Sequence, residues 1–349
     1  MLRERQMLRG ADTSITSPSK CWTDFCSYFD YLLGLPEESF EKLRLHTYHM
    51  TGDNYQTYHF EYAARFAKKY DLSGLTRGIP QEYLINEPEG GIGFHYPGGR
   101  FISRDIIRYQ RVINTLYLNN IFRENAASRA KRYYALEIGG GYGALAHHLS
   151  KLLKNATYVI IDLPETLLLS AAYLTMLNPQ KRIYLYDPQD FSNFIRSGAF
   201  DSYDFVLLPN YHLEELKGLK FDLVINMASL QEMRDAQVRA YIDFISKTCT
   251  GVFYSLNRDS IMINSELDNL SDLLRPNFDL IEIKPRNMDS PKEALRKALK
   301  RIAKSAAIAT GILEKPKPIM PYREYVCKPR RRDPLPKVSP STASQTRRS

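Results

Sequence analysis

Residues 133–164 read YYALEIGGGYGALAHHLSKLLKNATYVIIDLP, and this stretch decides the fold. An apolar strand, Tyr134 to Ile138, runs into three consecutive glycines. A helix is expected from about Tyr142, and a second apolar strand, Tyr158 to Ile161, stops on Asp162. Glycines at 139, 141 and 143 let the backbone turn sharply and approach a ligand, while the helix that follows presents free N–H groups and the positive end of its dipole. Asp162 falls near the position at which an acid holds ribose hydroxyls in such strand–turn–helix–strand units. The ligand expected from this arrangement carries an adenosine.

Gly139-x-Gly141-x-x-Ala144 also satisfies the looser dinucleotide fingerprint, so the choice of adenosine rests on its neighbours. Glu137 lies inside the first strand, two residues before the turn. A negative charge there disfavours a pyrophosphate and favours a sulfonium cofactor with an ammonium group. Glu137 and Asp162 together favour S-adenosylmethionine over a nicotinamide dinucleotide, and over a glycine-rich turn with no ligand.

LEIGGGYGALAHHL, YVIIDLPETLLLSAAYL and DLVINMASLQEM (222–233) together resemble the sugar O-methyltransferase family of bacteria, and Asp-Leu-Pro after the second strand is similar to phenolic O-methyltransferases. The resemblance covers about residues 90–265 and is strongest at 134–174 and 221–233. It implies a Rossmann-like, doubly wound, mostly parallel seven-stranded sheet of the class I methyltransferase type, preceded by a helical N-terminal region. It implies S-adenosylmethionine as cofactor and transfer of a methyl group to a sugar or glycan hydroxyl, and it puts Ser229 and Glu232-Met233 in matching positions.

Of the formal net charge of +9, residues 328–349 hold seven Lys/Arg against Asp333 and residues 1–20 hold four against two acids, so the body between them is close to neutral. The basicity belongs to the tails, which reads as solvation of tails; nucleic acid is not expected as a partner. No apolar run approaches the ~20 residues that span a bilayer, and residues 1–20 lack the apolar region of a signal peptide. A cytoplasmic location is expected. Four cysteines show no C-x-x-C or zinc spacing and read as reduced thiols. His46-x-x-His49 with His59 has no acidic or Cys partner at fitting spacing, so a divalent metal is compatible but not indicated.

The expected organisation is a disordered tail at 1–20, a helical acceptor or dimerisation region at 21–125, the cofactor-binding domain at 126–327 and a disordered basic tail at 328–349. Trp22, Phe25, Cys26, Phe29, Leu32 and Leu33 recur at helical spacing, and further helical segments are expected around 39–49 and 55–70. Residues 88–101 are glycine-rich around Phe94, His95 and Tyr96 and read either as a functional loop or as a linker. Ser103 reads as the N-cap of a long amphipathic helix reaching Ile121. RIYLY (182–186) and DFVLL (204–208) both read as strands. Either Asp187 and Gln189 or Asn210 and Tyr211 could end the strand beside the adenine, and the second pair is favoured for its place just before the next strand. FDLVIN (221–226), GVFYSL (251–256), FDLIEI (278–283) and residues 324–326 are expected to complete the sheet, with a basic helix inserted at 291–313.

Ligands of such a sheet bind beyond the carboxyl ends of its strands. Glu137, Gly139, Gly141, Gly143, Asp162, Leu163, Asn210, Tyr211 and Asn226 are therefore the candidate cofactor residues. Asp162 could instead serve only to cap the helix that follows. A sugar hydroxyl needs its proton removed, and Glu232 is the candidate base; its alternative is a capping box with Ser229. His95 is the second catalytic candidate, unless it is simply exposed. Tyr96, Arg104 and Ser229 are candidates for acceptor binding. Arg108, one turn beyond Arg104, could join it on an acidic sugar or a phosphate, or the pair could be a solvated face. Asn226-Met227-Ala228-Ser229 is not the Asp/Asn-Pro-Pro-aromatic turn that clamps a planar nitrogen, so oxygen is the expected acceptor. Alternatives are a phenolic or polyketide O-methyltransferase, a dinucleotide-dependent oxidoreductase, and a non-catalytic nucleotide- or RNA-binding protein.

Overall fold

The computed structural model describes residues 16–58, 72–96, 98–127, 130–284, 299 and 320–330. Much of the expected 55–70 helix, the basic helix at 291–313 and most of both tails lie outside these residues. A small antiparallel hairpin pairs β1 (Phe94–Tyr96) with β2 (Arg100–Ile102). The main sheet is built from β3 (Tyr133–Ile138), β4 (Ala156–Asp162), β5 (Ile183–Leu185), β6 (Phe205–Pro209), β7 (Phe221–Met227), β8 (Cys249–Arg258), β9 (Phe278–Glu282) and β10 (Tyr322–Pro329). Their spatial order is β5-β6-β4-β3-β7-β8-β10-β9. The pairings from β5 to β8 are parallel, and β10 runs antiparallel to both β8 and β9.

This is the expected doubly wound, mostly parallel sheet with a closing antiparallel strand, with eight strands where seven were expected. RIYLY and DFVLL both become strands, and the extra one, β5, is at the edge. It survives there because Tyr184 stacks on Phe194 of the Phe191–Ser197 helix at 3.8 Å between ring centroids.

The central strands are buried on both faces, which is why they read as continuous apolar runs. Their alternation divides the core. Ala135, Tyr158, Ile160, Leu223 and Ile225 pack on one face with helices Arg104–Leu118, Ala144–Leu152 and Pro164–Leu177. Leu136, Ile138, Val159, Ile161 and Val224 pack on the other with the Asp235–Thr248 helix.

The N-terminal helices share the first of these cores, which is continuous from Phe29 and Leu32 through Ile106 and Ile113 to Tyr158. The Ser103 side chain accepts from Ile106 N, which secures the start of the Arg104–Leu118 helix; such a cap contributes roughly 1 kcal/mol. The expected single long helix is two, because Asn120 adopts φ 63° and a second helix, Ile121–Ala127, starts beyond it. Arg111 and Thr115 on the first helix both bond the buried Glu324 of β10, Arg111 Nε at 2.5 Å, and Tyr254 of β8 donates to the same carboxylate at 3.0 Å.

The 88–101 stretch, expected as an irregular loop, is largely the β1–β2 hairpin. A Cβ on Gly93 would stand 2.6 Å from Ile102 O, so this glycine serves a close approach of the chain to itself. No helix among the described residues is long and apolar enough to cross a membrane.

Candidate functional site

Beyond the carboxyl ends of β3, β4, β6 and β7 lies a cleft of about 1130 Å³, counted out to its open mouth. Its floor is the glycine turn. Gly139 has φ +76°, and a Cβ there would fall 2.1 Å from Ser229 Oγ, so only glycine lets the turn after β3 pass the segment after β7. Gly141 N donates to Asp162 Oδ2 at 2.8 Å and Leu163 N to Asp162 Oδ1 at 2.7 Å. The carboxylate thus ties the turn to the end of β4. Each oxygen keeps acceptor capacity, since a carboxylate offers about four lone-pair sites.

Four acids line this cleft: Asp105, which is paired with Arg44 and Arg108, and Glu137, Asp162 and Glu232. Burial pushes Glu137 up to about 8, partly offset by the hydroxyl of Tyr158, which donates to Oε2 at 2.9 Å; the charge of Asp162 raises it further. Burial likewise raises Asp162 to about 6, against the hydrogen bonds of Thr166, Leu163 and Gly141. Glu232 rises to about 7 by burial, against hydrogen bonds from Trp22 and Gln231. Among the described residues none of the last three is paired with a lysine or arginine.

The segment after β7 bends at Ala228, which holds φ 59°, a left-handed conformation that costs a non-glycine residue about 1–2 kcal/mol. Ser229 then faces the cleft, and its hydroxyl makes no hydrogen bond to the described residues. Residues Leu230–Glu232 form a single 3₁₀ turn without a side-chain cap from Ser229, and the next helix begins only at Asp235, so the capping box that the spacing allows is not formed. The Glu232 carboxylate instead accepts from Trp22 Nε1 at 2.7 Å.

One wall comes from the N-terminal region: Met50, Thr51, Asp105, Arg108 and Tyr109. Behind it lies a buried platform. Arg44 donates to Glu87 at 2.8 Å, to Thr47 at 2.9 Å and to Asp105 at 2.9 Å, and its guanidinium lies 4.5 Å from the Tyr142 ring centroid. Asp105 also receives Arg108 NH1 at 3.2 Å. Arg108 is half exposed and is the only cation among the described lining residues.

Of the residues expected from sequence, Glu137, Gly139, Gly141, Asp162, Leu163, Asn210, Ser229 and Glu232 line this one cleft. Asn210 sits just beyond β6, next to β4, whereas Asp187 and Gln189 follow the edge strand. The remaining candidates are not on its wall. Gly143 caps the Ala144–Leu152 helix at φ 84° and faces Leu174 and Ser170. Asn226 is fully buried and spent, its Nδ2 on Ile138 O at 2.7 Å and its Oδ1 on Leu230 N and Asn257 Nδ2. Tyr211 packs edge-on to Tyr186. His95 and Tyr96 belong to the hairpin, where His95 is exposed against Phe101. Arg104 is held by Asp53 and Gly52 O.

Sequence reasoning missed Trp22, Ser19, Met50, Asp105, Tyr109, Gln237 and Tyr241 as parts of the wall. For most of them helical periodicity marks a buried face and nothing more. Trp22 alone carried a further signal, as the only tryptophan of the chain. Among the described residues no group of three or more His, Cys, Asp or Glu could hold a metal ion.

No protein-family model matches this sequence, and no curated protein matches it. Solved structures with a similar fold include an O-methyltransferase family protein from Burkholderia thailandensis, 13% identical over 64% of this chain and 59% of that one, with a TM-score of 0.34. The N-methyltransferase NodS from Bradyrhizobium japonicum, in complex with S-adenosyl-L-homocysteine, is 16% identical over 52% of this chain and 82% of its own, with a TM-score of 0.33. A TehB-like SAM-dependent methyltransferase from Corynebacterium glutamicum is 11% identical over 64% of this chain and 97% of its own, with a TM-score of 0.30.

Proposed function

We propose that this chain is an S-adenosylmethionine-dependent O-methyltransferase acting on a hydroxyl of a sugar or glycan. The observation that carries the cofactor is the set of three unpaired acids in one cleft. Buried carboxyls without a cation are costly, and a ligand bearing a sulfonium and an ammonium supplies the missing charge. A pyrophosphate brought against Glu137 would add to the repulsion, which tells against a dinucleotide.

The remaining residues fit the same ligand. Asn210 gives Nδ2 to Thr16 O at 2.8 Å, and its Oδ1 is buried without a partner among the described residues, an acceptor suited to the exocyclic amine of adenine. Asp162 keeps lone pairs for ribose hydroxyls, and the bare glycine backbone leaves room beside it.

When bound, S-adenosylmethionine supplies a methyl group already activated by its sulfonium. The chain's own work is to align the acceptor oxygen and remove its proton. A carboxylate near 7 is a base matched to neutral pH, and Glu232 lies beside Ser229, whose unbonded hydroxyl is available to the acceptor. Arg108 offers its outer edge to an acidic group. Trp22, Met50, Tyr109 and Met227 also line the cleft, and this apolar wall favours, as a second reading, a phenolic acceptor.

Thermal shift with S-adenosylmethionine, S-adenosylhomocysteine and NAD, on wild type and Asp162→Ala, tests the cofactor. Ligand at a hundred times its dissociation constant stabilises by about 2.7 kcal/mol. The expected result is stabilisation by the first two, lost in the variant. A response to NAD alone refutes the proposal, and no response to any of them favours a non-catalytic protein. Methyl transfer to neutral sugars, uronic acids, sugar phosphates and phenols then separates the acceptor classes.

A further inference from the structure

Residues 16–22, expected to begin in a disordered tail, cross the cleft wall as a strap. Three successive carbonyls each take a side-chain donor: Thr16 O from Asn210 Nδ2 at 2.8 Å, Ser17 O from Gln237 Nε2 at 2.8 Å, and Pro18 O from Arg234 NH2 at 2.7 Å. These donors come from the segments that follow β6 and β7, so the strap is fixed by the cofactor-binding part of the fold.

Ser19 is the N-cap of the Lys20–Ser27 helix, yet its side chain does not cap it. Its hydroxyl donates instead to Glu232 O at 2.5 Å. One turn on, Trp22 Nε1 donates to Glu232 Oε2 at 2.7 Å. Glu232 is thereby held at its carbonyl and its carboxylate by two residues about 210 positions away. Ser19, Trp22, Glu232, Asn210 and Gln237 all line the same cleft.

We infer that Trp22 is a positioning residue of the proposed methyl transfer: the strap aims its indole N–H at Glu232, holds that carboxylate in one orientation and favours its ionised form. The inference rests on the reading of Glu232 as the base. An indole is suited to the task, since it donates one hydrogen bond, cannot accept a proton at working pH and excludes water with its ring. Among the described groups about Glu232 the Gln231 side chain shares this role to a smaller extent, and the charged ones do not. Asp162, at the end of β4, acts on it only by repulsion. Arg234 serves Pro18 O and Glu266, and the helix's own Lys20 and Asp24 are exposed. Glu137, on the same cleft, is mostly protonated at neutral pH.

Trp22 also supplies its own probe, because the chain has one tryptophan. Its emission, followed from pH 5 to 9 on the full chain without ligand, should titrate with a midpoint near 7 that disappears in Glu232→Gln. An emission that ignores pH, or one that titrates alike in both proteins, overturns the inference. The second arm uses Trp22→Phe, which keeps a ring and removes the donor. S-adenosylhomocysteine affinity should stay within about threefold of wild type. The acid limb of kcat/KM should move up by up to about one pH unit, the size of one lost charge-assisted hydrogen bond, with the two profiles converging at high pH. A uniform loss across the pH range would mean a structural role only, and superimposed profiles would mean none. Failure of the methyltransferase reading is separately visible as a protein that binds neither S-adenosylmethionine nor S-adenosylhomocysteine, whereas the emission arm reads the Trp22–Glu232 pair directly.

Discussion

If the three acids are there for a cationic cofactor, cofactor affinity must depend on pH in a way set chiefly by Glu137. Without ligand its carboxyl is pushed up to about 8 by burial, so at pH 6 only about one molecule in a hundred carries the charge that the ligand needs. Binding therefore takes up the cost of removing that proton, and affinity rises with pH toward 8. The ligand's own α-amino group, ordinarily near 8, loses its charge above that, so the profile is a bell with its top close to pH 8. The two ionisations together predict about a 20-fold gain in affinity from pH 6 to 8, with close to one proton released per ligand at pH 7. Isothermal titration in buffers of different protonation enthalpy measures both quantities. Glu137→Gln should remove most of the rising limb and leave the shallower contributions of Asp162 near 6 and Glu232 near 7. An affinity flat within threefold from pH 6 to 8, or tighter binding at pH 6, would refute the pairing of these acids with a cation.

Arg108→Gln should weaken binding about tenfold or more for whichever partner brings a carboxylate or phosphate to that wall. Loss of S-adenosylhomocysteine affinity with methylthioadenosine unaffected assigns it to the cofactor's carboxylate; a raised KM for acidic acceptors alone assigns it to the acceptor. Gly139→Ala should be about 1–3 kcal/mol more destabilising in urea than Gly198→Ala: both have positive φ, but the new Cβ meets Ser229 only at 139 and nothing within 4 Å at 198. His148 is buried beside His147 with Nε2 unpartnered among the described residues, and burial lowers it to about 3. Its folded value lies below its unfolded one near 6.5, so protons favour the unfolded chain and stability falls as pH drops from 6.5 towards 3. Between pH 6.5 and 4.5 this amounts to about 2–3 kcal/mol, and His148→Phe should reduce the slope there by about half, because buried His147, lowered to about 4, titrates over the same range.

The sheet was legible because its physics is local. Buried parallel strands show as short apolar runs, and a turn that must pass close to Ser229 and Asp162 shows as glycine. The same locality explains the miss at 88–101 and the two readings left open at 229–232. Glycines signalled close approach in both the hairpin and the turn after β3, but periodicity does not tell a ligand from Ile102 O. Ser229-x-x-Glu232 has capping-box spacing, and only the delayed start of the helix at Asp235 frees the carboxylate for Trp22. The N-terminal wall was illegible for a different reason. Met50 and Thr51 sit on a single turn, and Asp105, Arg108 and Tyr109 on a helix that was expected, but the packing that turns both toward the cleft is set by contacts such as Arg44 to Glu87 and Asp105, 43 and 61 residues apart, for which a sequence carries no period.

The placement of β10 constrains how this chain can reach its native state. It follows β9 in sequence but lies between β8 and β9, and it carries the carboxylate that anchors Arg111 and Thr115 of the N-terminal helix. During synthesis β8 emerges with its outer edge unpaired, and β9 can find its place only once residues 322–329 have arrived to bridge the two. Until then the Arg104–Leu118 helix has no partner for Arg111 across the sheet. Assembly of the half of the sheet beyond β7 is therefore a late, non-local and slow step, and the waiting edge of β8 is where a nascent chain is most exposed to pairing with a neighbour.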